Sequence, residues 1–80
     1  MDRYSIFEED RVNVKELLKL DDRMAAAQGL HRFTTLDLAM GFVNRAVKPH
    51  FVLLGDDDRY WVAVGRLARD LEKAGYEIVT

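Results

Sequence analysis

The chain has no cysteine, one proline, a single serine (Ser5) and no long apolar run. Each absence removes a class of explanation. Without cysteine there is no disulfide and no thiolate metal site, and a reducing, cytoplasmic setting is the natural expectation. A membrane span needs about 18 consecutive apolar residues, and no stretch approaches that, so no membrane association is expected. The opening Met1-Asp2-Arg3-Tyr4-Ser5-Ile6-Phe7-Glu8-Glu9-Asp10 lacks the apolar core of a secretion signal. Neither sign of charge dominates: 12 Lys and Arg face 14 Asp and Glu, a net of -2. That balance gives no general pull toward nucleic acid or anionic lipid. The five glycines, Gly29, Gly41, Gly55, Gly65 and Gly75, are isolated from one another, so no phosphate-cradling loop is present.

What is present is a two-sided apolar hairpin, Phe51 to Val64, turning at Gly55-Asp56-Asp57-Asp58-Arg59. Side chains alternate across a strand. Phe51 and Leu53 therefore face away from Val52 and Leu54, and Tyr60, Val62 and Val64 face away from Trp61 and Ala63. A ribbon with one wet face would show polar residues at every second position. Both faces of this one need cover, from the chain's own helices, a second copy or a ligand. Eighty residues make one domain with a small core, and such chains rely on very regular packing or on association.

Three helices and four strands follow from the pattern. Residues 1–12 read as a loosely docked arm. The first helix is expected over 13–28, with Asn13 as N-cap, Glu16 three residues on, a Val12–Leu17 staple and Gly29 closing it; Asp21 interrupts its apolar stripe. Leu30 to Thr34 reads as a short strand. Thr34 then caps a second helix that Pro49 forces to end near Val47. The hairpin comes next, then a third helix over 66–74 and a last strand over 76–79. The order from residue 30 onward is βαββαβ, the split βαβ pattern of a small ferredoxin-like α+β sandwich. In that arrangement right-handed crossovers place the second and third helices on one face, and the first helix covers the other. A smaller α+β arrangement, pairing only the hairpin and the last strand, is the rival. The expected core is Leu17, Leu18, Phe33, Leu36, Ala39, Val43, Phe51, Leu53, Tyr60, Val62, Leu67, Leu71 and Ile78. Trp61, Val52 and Leu54 are expected against the first helix or a second subunit. Gly41, in mid-helix, suggests close approach of another backbone.

Residues with chemistry are few. Asp56-Asp57-Asp58 has carboxylates but not the ligand alternation of a calcium loop, and Asp suits a turn for local reasons. His31 and His50 flank the second helix without metal-ligand spacing; pairing of their strands would bring them near each other. Thr34 and Thr35 are better read as caps than nucleophiles. No catalytic, cofactor or metal site is expected. The reading is a non-enzymatic interaction or accessory module, with a homodimer or a protein partner. The alternative is a single-stranded nucleic-acid binder. Residues 31–55 carry Arg32, Arg45 and Lys48 against Asp37, a local balance of +2, plus both histidines. Its contact residues would be Arg32, Phe33, Arg45, Lys48 and Arg59, with aromatics for base stacking.

Overall fold

A computed structural model describes residues 14–79. The arm over 1–12, the Asn13 cap and the Val12 staple lie outside the described residues. The elements are α1 (Val14–Leu18), α2 (Asp22–Ala27), β1 (His31–Phe33), α3 (Leu36–Arg45), β2 (His50–Leu54), β3 (Tyr60–Val64), α4 (Gly65–Lys73) and β4 (Glu77–Ile78). The result is a small α+β domain with one four-stranded antiparallel sheet.

The first helix is two helices. Asp21, the residue that breaks the apolar stripe, turns out of the helix and accepts a 2.8 Å bond from the Met24 amide, which starts α2 afresh. α2 ends as expected at Gly29, whose φ of 99° is open to glycine without strain. There the Leu30 amide reaches back to Ala25 and the Gly29 amide to Ala26, a Schellman closure. α4 ends the same way at Gly75. The N-cap of α3 is Thr35, not Thr34: its hydroxyl accepts from the Leu38 amide at 3.2 Å. α3 stops at Arg45, two residues before the expected end, and Val47 is fully exposed.

The sheet order is β1-β3-β2-β4, and here the structure departs from the ferredoxin-like expectation. In that sandwich the second crossover turns back, and β4 lies beside β1. Here β4 pairs with β2, through Leu53↔Ile78 and Leu54↔Glu77. Both crossovers, β1-α3-β2 and β3-α4-β4, thus step the same way across the sheet, but from strands that run in opposite directions. Connections of one hand must then place α3 and α4 on opposite faces. The core divides accordingly. Leu53, Trp61 and Ala63 pack with Leu67, Ala68 and Leu71 of α4, Leu17 and Ala25 of α1 and α2, and Leu30. Val52 and Val62 pack with Ala39 under α3, rimmed by Phe33, Met40, Phe42, Val43 and Tyr60. The first helical segment therefore joins α4 rather than covering the face α4 leaves open. Of the residues expected to share its cover, only Trp61 does; Val52 lies under α3. Leu36, Phe51 and Leu54, taken from the sequence as core or covered, are substantially exposed.

Glycine roles also differ from the sequence reading. The positive φ in the hairpin turn belongs to Asp58, at 64°, and not to Gly55; Asp tolerates that region better than most residues. Gly55 is needed for space, since a methyl there would overlap the Trp61 indole at Cε2, Nε1 and Cζ2. Gly41 has no backbone pressed against it. A methyl would meet only the flexible tip of Arg45, at 3.4 Å. Two substitutions to alanine should therefore have opposite signs. In urea unfolding Gly55→Ala should lose roughly 1–3 kcal/mol to overpacking, and Gly41→Ala should gain up to about 1 kcal/mol of helix propensity.

Candidate functional site

The polar side chains singled out in the sequence fall into two places. The first is the hairpin tip on the α4 side of the sheet. Trp61, 2% exposed, is its centre. Its Nε1 donates to Asp57 Oδ1 at 3.1 Å, Tyr76 lies 5.0 Å away ring to ring, and the Arg32 guanidinium sits 5.4 Å above the indole. Arg32 is inward: its side chain is 5% exposed. It donates to the Leu20 carbonyl at 2.9 Å and the Leu18 carbonyl at 3.4 Å, so it serves as a distant cap for the end of α1. It also meets Asp22 Oδ1 at 3.1 Å. The other oxygen of Asp22 takes Arg59 at 2.6 Å, and Arg59 in turn holds Asp57 at 2.9 Å. Asp57 also accepts from the Arg59 amide, and Asp56 accepts from the Tyr76 hydroxyl at 3.0 Å.

Two of the three turn carboxylates thus fasten the turn to β3 and to the start of β4. Among the described residues no group of three or more His, Asp or Glu is placed to hold a metal. Asp22, which nothing in the sequence marks out, is the hub between Arg32 and Arg59. The paired guanidiniums, Arg59 first and then Arg32, hold its carboxyl below the usual carboxylate range. Such a group stabilises the fold above the ordinary value near 3.8, and the contribution is lost as pH falls through it. The bonds from Asp22 and Asp57 raise the Arg59 guanidinium further above its normal value, so it stays charged throughout. Burial, and then the Asp56 bond, push the Tyr76 phenol up.

The second place is the α3 face. Phe33 lies there, its ring 5.6 Å from Phe42. His31 and His50 pack on the same Phe42 ring, at 4.4 and 5.4 Å. The strands of the two histidines do not pair directly, because β3 runs between them, yet Phe42 joins them. Burial first, and then the charge of His50, lower the pKa of His31. Arg45 ends α3 and Lys48 follows it; both are exposed.

The five expected contact residues are therefore not one surface. Arg32 and Arg59 are joined through Asp22 on the α4 side, Phe33 belongs to the α3 face, and Arg45 and Lys48 sit at and just past the end of α3. Neighbouring strand residues point to opposite sides, which is why Arg32 and Phe33 part company. Comparison with known proteins returns nothing: no family model, no curated protein and no solved structure matches this chain.

The two kinds of arginine can be told apart by stability. Arg32→Ala removes bonds to two main-chain carbonyls and to Asp22, together with the cover on Trp61. It should cost about 2–3 kcal/mol in chemical denaturation, whereas Arg45→Ala should stay within about 0.5 kcal/mol of wild type.

Proposed function

We propose that this chain is a non-enzymatic interaction module and that its partner docks on the α3 face, with a second copy of the chain as the simplest occupant. The observation that carries this is incomplete cover. α3, ten residues long, is the one described helix on its side of a four-stranded sheet. At the edge of that cover Leu36 is 40%, Leu54 42% and Val79 40% exposed. Leu54 shares the face of Val52. Val79, whose amide donates to the Val52 carbonyl at 2.8 Å, continues the same row. Leu36 lies one helical turn from Ala39 and two from Val43 on the sheet-facing stripe of α3. Adjoining apolar side chains of this kind mark association surfaces.

The non-enzymatic part of the reading is supported by what the polar residues already do. Asp22, Asp56, Asp57, Arg32 and Arg59 fasten the hairpin and the helix ends, and Thr35 caps α3. No described helix is long and apolar enough to cross a membrane. A cytoplasmic setting is part of the proposal, supported by the lack of cysteine.

Single-stranded nucleic acid is the second reading. Arg45 and Lys48 favour it, since neither is in an ion pair among the described residues. Light scattering should give the mass of a dimer at about 100 μM, the middle of the range where weak dimers form. The Leu36→Glu/Leu54→Glu double variant should give a monomer with unchanged melting temperature. A wild-type monomer at that concentration would remove self-association. Affinity for a short oligonucleotide that falls steeply with salt would favour the second reading.

A further inference from the structure

The α3 face differs from the α4 face in one chemical respect: it carries both histidines of the chain. His31 shares the face of Phe33 and His50 that of Val52, so both imidazoles turn to the side of the sheet where α3 lies. Phe42 comes down from α3 between them. Its ring lies 4.4 Å from that of His31, tilted by 36°, and 5.4 Å from that of His50, edge-on at 83°. The rest of the attachment is thin: among the described residues, Ala39 of the helix and Val52 and Val62 beneath it are the fully buried ones. We infer that this His–Phe–His clamp is an acid-sensitive latch: neutral imidazoles hold α3 on the sheet, and charged ones release it and uncover Val52 and Val62.

The charges around the clamp favour release. α3 contributes Arg45 in its last turn, beside Phe42, while its carboxylate, Asp37, is in the first turn at the far end. The segment before β2 contributes Lys48. β3 brings Val62 to the side of the histidines, with the Tyr60 phenol further along the same face. β4 offers Glu77, but opposite Leu54, at the other end of the sheet. α2 packs against β1 and carries Asp22 and Arg23; Asp22 is already held by Arg32 and Arg59. No described carboxylate is thus placed to receive a proton-bearing imidazole at this end.

His50 Nδ1 lies 2.7 Å from the Lys48 carbonyl. A carbonyl only accepts, so Nδ1 carries a hydrogen, and the bond survives a second proton on Nε2. That bond fixes the His50 ring in place against Phe42. Burial of His31 first, and then the charge of His50, favour its neutral form against Phe42. The sign follows from linkage. A histidine that prefers to be neutral in the fold stabilises it fully above the unfolded value near 6.5, and that contribution is lost as pH falls below it.

The latch concerns the same face as the proposed association but does not rest on it, since release of α3 is measurable in a monomer. The test is hydrogen exchange at pH 7.5 and 5.5, corrected for intrinsic rates. In wild type the α3 amides should lose protection several-fold, and by no more than about tenfold, the limit that linkage allows one imidazole one pH unit below its ordinary value, while α4 amides change little. The His31→Phe/His50→Phe variant should show no such loss. Unchanged α3 protection in wild type would overturn the latch, as would equal loss in α3 and α4, or loss that persists in the double variant. Should that variant not fold, the wild-type imidazole resonances decide. His31 must titrate below its ordinary value, in step with α3 exchange, and titration at or above it would overturn the inference. Light scattering on the same samples reads association separately.

Discussion

The burial of one indole sets the terms for this domain. Trp61 is enclosed by a glycine and a carboxylate of the hairpin turn, a guanidinium from β1 and a phenol from the start of β4. Removing a tryptophan side chain from water takes away roughly 200 Å² of apolar surface, a gross gain on the order of 5 kcal/mol. Small domains have a net stability of about that size. The surrounding features follow from this demand. Gly55 has no side chain because the ring needs the space. Asp57 closes the turn because the Nε1 hydrogen needs an acceptor. Arg32 sits over the ring, where it also caps α1 and bonds Asp22, the partner of Arg59.

The two faces of the sheet are built on different principles. On the α4 side, three helices and the polar clamp around Trp61 close a core of nine buried residues. On the α3 side, among the described residues, a single helix sets its Ala39 over two buried residues, Val52 and Val62, and aromatic and imidazole rings fill the rim. Regions with few buried apolar contacts open at lower cost than the global core. A partner and a proton would both act most readily on the weaker side. The strand order produces this inequality, because a β4 beside β1 would have put both crossover helices on one face and left the other to the short N-terminal helices.

The sequence alone determined the element types, the hairpin, the glycine closures at Gly29 and Gly75, and the need for cover on both sides of β2 and β3. Those features depend on neighbours within a few residues: apolar period, turn chemistry and helix-end conformation. Even the break at Asp21 was visible as a polar residue in an apolar stripe, although only its bond to the Met24 amide shows that it restarts the helix. Thr34 and Thr35 are chemically equal as caps, so the choice between them lay in the path of the chain out of β1.

Tertiary structure decided the rest. Which edge β4 joins is set by packing across the whole sheet, and no local pattern encodes it. The faces of α3 and α4, the exposure of Leu36 and Leu54, and the division of the basic residues all descend from that choice. Arg32 and Arg45 are the same residue type in one basic segment, yet one is buried and bonded to Leu18, Leu20 and Asp22, 10 to 14 residues back along the chain, and the other is exposed to solvent. Composition could count these charges, but only the fold could neutralise some and leave others free, because charges pair by proximity in space and not along the chain.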